Sequence, residues 1–168
     1  MELKELTEKT CDLFNISSIG QLGGALMECV LNNDIKFYEA FIDLVKDLEI
    51  DWMQKIYQYY LAERKDKMQD YTPKSIAKLM AILVGEAQVM IDMCAGSGAL
   101  TIQRWCINRT QKFDLYEFDE NVIPFLLFNL TVRNIRATVY QSDVLQEELM
   151  HKWIVRPGEK YGIVEVIK

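Results

Sequence analysis

At 168 residues, half of them apolar, the chain is long enough for one packed domain with a helical extension. Its 19 basic and 25 acidic residues leave a net charge of −6, which does not advertise the basic face expected of a protein that binds DNA alone. No apolar run reaches bilayer length, the N-terminus MELKELTEKT lacks the apolar core of a secretion signal, and Cys11, Cys29, Cys94 and Cys106 form no CxxC pair, so the expectation is a cytoplasmic protein with neither a metal site nor a disulfide framework.

Residues 1–67 read as a helical region. Leu3, Leu6, Cys11 and Phe14 give a loose apolar stripe. Ile35, Tyr38, Phe41, Ile42, Val45, Leu48, Trp52, Ile56, Tyr59 and Tyr60 recur at the three- and four-residue spacing of amphipathic helices. Gly20-Gln21-Leu22-Gly23-Gly24 marks a break or a tight helix contact. The region carries no catalytic constellation and reads as a cap or docking surface. Its one short basic run is Ala62-Glu63-Arg64-Lys65-Asp66-Lys67.

A second unit, 68–168, begins at Gln69-Asp70-Tyr71-Thr72-Pro73-Lys74-Ser75. Thr72 is a good N-cap, and Pro73 suits the first helical position, where its missing N–H is harmless. Ile76, Leu79, Met80 and Leu83 then supply one apolar face, and Gly85 is placed to stop the helix. Strands at 88–92, 112–117 and 136–141 alternate with helices at 99–108 and 121–132, with Asn121 as cap and Pro124 in the first turn. That order predicts an α/β fold with a parallel sheet. Residues 144–151 suit a short helix, and 153–155 and 161–167 suit strands about the Pro157-Gly158 turn.

Ligands of such sheets sit at the carboxyl ends of the strands. Three features fall there. The first is the turn Asp92-Met93-Cys94-Ala95-Gly96-Ser97-Gly98, whose glycines let backbone N–H groups approach a ligand. Asp92 either holds an ammonium group or orders the turn. The second is Glu117, nineteen residues beyond Gly98, where a carboxylate accepts from a ribose diol or is simply solvated. The third is Asp143, an acceptor for an exocyclic adenine amine or a helix N-cap, with Phe118 and Val144 as apolar walls. No GK[ST] follows the glycines, which excludes a P-loop. An ammonium end, a ribose and an adenine without phosphate describe S-adenosylmethionine.

The segments Tyr71-Thr72-Pro73, 92–98, Tyr116-Glu117, Phe128-Asn129-Leu130 and Ser142-Asp143-Val144-Leu145 together resemble the N6-adenine DNA methyltransferases, in particular modification subunits of restriction systems. The resemblance covers residues 64–146. It implies a Rossmann-like class I methyltransferase sheet, truncated here, and S-adenosylmethionine as cofactor. It also implies that Tyr71, Thr72 and Pro73 close over the methionine end and that Asp92, Cys94, Gly96 and Gly98 form the cofactor turn. Glu117 matches the ribose acid and Asp143 the adenine contact.

The family's catalytic Asn/Asp/Ser-Pro-Pro-Tyr/Phe motif, whose ring stacks on a flipped base, has no counterpart, because the prolines are Pro73, Pro124 and Pro157. His151, the single histidine, reads as a surface or packing residue, and Cys94 as a small buried one. Trp105, Cys106 and Ile102 read as helix packing. The chain is therefore expected to be inactive alone. Either it takes its base pocket and DNA contacts from a partner polypeptide, another copy or a region beyond these residues, or it is a non-catalytic cofactor-binding regulator. A third reading, an interaction module with a vestigial turn, has the intact cofactor motifs against it. The first strand's outer edge would be bare unless 161–167 or another subunit covers it; 161–167 is expected to pair there or to form a hairpin with 153–155.

Overall fold

The computed structural model describes residues 2–62 and 71–167; most of the basic run at 62–67, and the boundary expected at 67/68, lie outside the described residues. Four helices open the chain: α1 (Leu3–Leu13), α2 (Leu22–Leu31), α3 (Ile35–Val45) and α4 (Trp52–Tyr60). The glycine-rich break is both a 3₁₀ turn, Ile19–Gln21, and a close contact, since a Cβ on Gly23 would lie 3.6 Å from the Phe125 ring. Tyr38, Phe41, Trp52 and Ile56 are buried as the spacing requires, whereas Ile35, Tyr59 and Tyr60 are exposed.

Helix α5 (Lys74–Leu83) follows, then β1 (Val89–Asp92), α6 (Ala99–Ile107), β2 (Lys112–Glu117), α7 (Ile123–Val132) and β3 (Arg136–Asp143). β1, β2 and β3 are parallel neighbours. Two antiparallel strands, β4 (Glu148–Pro157) and β5 (Gly162–Ile167), extend the sheet beyond β3, giving the order β1-β2-β3-β4-β5. The last segment thus takes the hairpin alternative, and β1 keeps an outer edge with no paired strand among the described residues.

Every residue of α7 is buried. A helix apolar all round must be covered all round, and α7 lies between the sheet and the N-terminal helices. Phe128 meets Phe14, Tyr38 and Phe41 edge-on, and Tyr57 meets Phe125. One hydrophobic cluster therefore runs from Leu6 to Tyr161. The sheet's buried face comprises the rows Phe113–Ala137–Val155 and Leu115–Val139–Trp153. On its other face Asp114, Thr138 and Ile154 remain partly exposed.

Four local expectations are corrected. The residue at the N-cap of α5 is Pro73, not Thr72, and no side chain caps that helix. Gly85 does end it, at φ +72°. The apolar face read from Ile76, Leu79, Met80 and Leu83 is half-exposed or more; α5 instead buries Ala77 and Ala81, whose small side chains allow close approach to α6. Asn121 does not cap α7: Asp119 organises that entry by accepting from the Asn121 backbone N–H and side-chain amide. Residues 144–151 are not a helix. Residues 144–147 turn the chain, and the segment from Glu148 pairs antiparallel with β3, burying few apolar side chains and leaving Leu149 and Met150 exposed.

Candidate functional site

The bend after β1 is held from three sides. Asp92 Oδ1 accepts the Cys94 N–H at 3.1 Å. The Ala95 N–H donates to the Tyr116 carbonyl at 2.8 Å, and the Gly96 N–H donates to Glu117 Oε2 at 2.8 Å. The second Glu117 oxygen accepts the Asp119 N–H at 2.8 Å. β1 and β2 are thereby tied together at their carboxyl ends, and the Glu117 carboxylate is locked in orientation with lone pairs to spare.

The glycines are required by the backbone. Gly96 has φ +55° and Gly98 φ +98°, in the left-handed region that L side chains rarely adopt. A Cβ on Gly98 would also stand 3.0 Å from Leu126 Cδ1, so this residue lets α6 start close against α7. A Cβ on Gly96 would stand 3.6 Å from the Tyr71 ring. Tyr71 therefore covers the bend, itself packed edge-on against Tyr57. The Thr72 carbonyl accepts from the Gln54 side chain at 3.2 Å, tethering this strap to α4, while Pro73 is exposed.

Burial raises the pKa of both acids of the bend. It pushes Glu117 above its ordinary value, opposed by the two backbone N–H groups, and pushes Asp92 up likewise, opposed by the Cys94 N–H. The other Asp92 oxygen, Oδ2, is buried and has no hydrogen-bond partner among the described residues. A buried acceptor left unpaired costs on the order of 1–3 kcal/mol, so this atom is suited to a donor from outside the chain.

Asp143 ends β3 and stands apart from this cluster. Its Oδ1 accepts from the Leu145 and Gln146 N–H groups at 3.0 and 3.1 Å, ordering the turn into β4. It does for this turn what it was expected to do for a helix. Phe118 is exposed and Val144 half-buried beside these strand ends. Cys94 is exposed, not buried, because it sits on the outside of the bend; its thiol pKa is raised by partial burial and then by Glu117 and Asp92, which keeps it protonated and poorly nucleophilic. His151 lies on β4, with Nδ1 2.9 Å from Gln141 Oε1. Among the described residues no three His, Cys, Asp or Glu side chains gather as a metal site would require, and no helix is long and apolar enough to cross a membrane.

Beneath the bend lies a polar network that periodicity does not reveal. Asp51 caps α4 through the Gln54 N–H and accepts from Ser97 Oγ at 2.7 Å and Asn129 Nδ2 at 2.8 Å. Asn129 Nδ2 also donates to the Ser97 carbonyl. Arg133 donates to Asn129 Oδ1 and to the Leu48 and Ile50 carbonyls. All four side chains are buried. Burial raises Asp51, with Arg133 opposing, and lowers Arg133 to about 10, with Asp51 opposing. The N-terminal helices thus fix the glycine bend through Ser97.

The N-6 DNA Methylase family model matches residues 48–158, which includes Asp51, the glycine bend, Glu117, Asn129, Arg133 and Asp143. The chain belongs to the N-6 DNA methylase family. Its matched region begins well before Tyr71, at the loop whose carbonyls hold Arg133. Neither a curated protein nor a solved structure matches the chain.

Proposed function

We propose that this chain binds S-adenosylmethionine at the carboxyl ends of β1, β2 and β3 and acts as the cofactor-holding part of an adenine-N6 DNA methyltransferase. The observation that carries this reading is the bend itself: Glu117 hooked to the Gly96 N–H, beside a buried Asp92 oxygen that has no partner. Membership of the methylase family supports it.

In this reading Asp92 Oδ2 accepts from the cofactor's ammonium, and Glu117 uses its remaining lone pairs for the ribose diol. Asp143 keeps Oδ2 for the exocyclic amine of the adenine, which Phe118 and Val144 sandwich. Tyr71, with Thr72 and Pro73 behind it, closes over the methionine end. Gly96, Gly98 and Cys94 contribute backbone and a bend free of bulky side chains. The bound cofactor supplies a methyl group on a sulfonium, an electrophile for an amine nitrogen. These 168 residues contain no Pro-Pro motif, so on this reading the base pocket and the DNA contacts come from residues other than these, and these residues alone transfer no methyl group. The Rossmann-like character of the three parallel strands belongs to the same reading.

Equilibrium dialysis with labelled S-adenosylmethionine tests it. One site per chain is expected, competed by S-adenosylhomocysteine and not by ATP or NAD. Competition by nucleotides, or no site at all, would overturn it.

A further inference from the structure

Three separate pieces of the proposed cofactor site lean on one face of α4. Asp51, Gln54 and Tyr57 recur every third residue, at the N-cap of that helix and on its next two turns, so they share one side of it. Asp51 Oδ2 accepts from Ser97 Oγ, inside the glycine bend, at 2.7 Å. Gln54 Nε2 donates to the Thr72 carbonyl, in the strap, at 3.2 Å. The Tyr57 hydroxyl donates to Asp119 Oδ2 at 3.4 Å, beside the backbone N–H that holds Glu117.

These three pieces are not equally secured. The bend and Glu117 are also joined directly, through the Gly96 N–H. The strap depends more on α4. Among the described residues, the bond from Gln54 is the one hydrogen bond made by the backbone of Tyr71 and Thr72. The Tyr71 ring, which must stay over the bend if it is to cover a ligand there, rests edge-on against Tyr57 and within 3.6 Å of where a Gly96 Cβ would stand. Gln54 occupies the third position of α4, and its backbone N–H is held by the Asp51 cap. A glutamine at that position commonly folds back to the cap. Here its side-chain amide reaches instead to a residue eighteen positions on.

We propose that Gln54 is a positioning residue of the cofactor site: it holds the Tyr71-Thr72 strap closed over the methionine end of S-adenosylmethionine without touching the ligand, and so governs release of that end. This deepens the cofactor reading and rests on it. The face of α4 is then the template on which bend, strap and ribose acid are brought to one ligand.

Two ligands divide the site. S-Adenosylhomocysteine reaches the strap, whereas 5′-methylthioadenosine carries the same adenosine without the amino-acid end. Gln54→Met keeps the side chain's length and removes its donor. It should weaken S-adenosylhomocysteine roughly three- to ten-fold, the size of one lost hydrogen bond, chiefly through faster release in stopped-flow measurements. The affinity for 5′-methylthioadenosine should not change. Gln54→Glu also lacks the donor, but an acid in the first turn favours the start of a helix. It should keep or raise the melting temperature while weakening S-adenosylhomocysteine at least as much as Gln54→Met does. Affinity and stability would then part company, which a merely structural role would not produce. Gln58→Met, one turn further along α4, should alter neither affinity. Equal weakening of both ligands by Gln54→Met would overturn the proposal, as would no weakening of either, or affinities that simply follow the melting temperatures of the variants. If the unaltered chain binds neither ligand, the cofactor reading fails and takes this one with it. If it binds both and Gln54→Met does not tell them apart, this inference fails alone.

Discussion

Replacing Glu117 by alanine separates a ribose contact from a merely structural acid. In the free chain its two oxygens accept the Gly96 and Asp119 N–H groups, both at 2.8 Å. Alanine removes both acceptors but also removes a carboxylate that burial disfavours. With water able to reach the opened site, the two effects offset, and stability should fall by no more than about 2 kcal/mol. Cofactor binding has no such offset. Losing the acceptor of the ribose diol should cost about 1–3 kcal/mol, a weakening of roughly 5- to 150-fold. Calorimetry with S-adenosylhomocysteine and with its 2′-deoxyribose analogue distinguishes the causes. The unaltered chain should bind the deoxy analogue more weakly, and Glu117→Ala should bind both ligands alike, so that the two changes fail to add. Glu120→Ala, on the exposed neighbour, should change neither affinity. If Glu117→Ala weakened both ligands by the same factor, Glu117 would act only by shaping the bend; an unchanged affinity would remove it from the site.

Asn129→Leu keeps the volume but strips the bonds to Asp51, Ser97 and Arg133; it should destabilise the chain by about 2–4 kcal/mol in urea denaturation. A loss under 1 kcal/mol would mean the network is dispensable. Gly98→Ala forces a Cβ onto a φ of +98° and to 3.0 Å from Leu126, and should cost about 1–3 kcal/mol in the same assay while lowering cofactor affinity. Raised folded-state values for Asp92 and Glu117 mean that their contribution to stability is full below the unfolded values of 3.8 and 4.5 and is lost as pH rises through the folded ones. Those groups should stabilise the free chain as pH falls from neutrality, whereas S-adenosylhomocysteine, which needs them ionised, should bind more weakly; denaturation with and without ligand between about pH 5 and 8 reads both slopes, and parallel slopes would refute the assignment. Incubation of the isolated chain with labelled S-adenosylmethionine and adenine-containing DNA should leave the DNA unlabelled, and labelling would show that the chain completes its own base pocket.

The parallel half of the sheet was legible because β1 is a short apolar run, β2 and β3 alternate buried with more exposed residues, all three end on an acid, and α7 is largely apolar. β4 was not. Its first four residues, Glu148 to His151, are exposed and take their strand conformation from pairing with β3, a tertiary influence that periodicity does not register. The apolar stripe of α5 has the spacing of a buried face, and it is exposed because no described element covers it. Among the candidate site residues, spacing gave Asp92, Gly96 and Glu117, which the fold joins directly by hydrogen bonds to the bend. Thr72 as a cap and Cys94 as a buried residue failed because each depends on side-chain direction, which a pattern of residue types does not carry. Asp51 was missed because its partners Ser97 and Asn129 lie 46 and 78 residues away. The pairing of a short loop aspartate before Trp52 with Asn129 and Arg133 on one apolar helix was the available hint: polar residues on a wholly buried helix must find partners.

On the proposed reading, one ligand is held by the ends of three neighbouring strands. A crystal structure of the chain grown with saturating S-adenosylhomocysteine addresses it most directly. Density should lie over the glycine bend, with the amine at Asp92 Oδ2, the ribose at Glu117, and the adenine between Phe118 and Val144 within reach of Asp143. A ligand bound elsewhere, or a bend closed over by the chain's own side chains in those crystals, would contradict it.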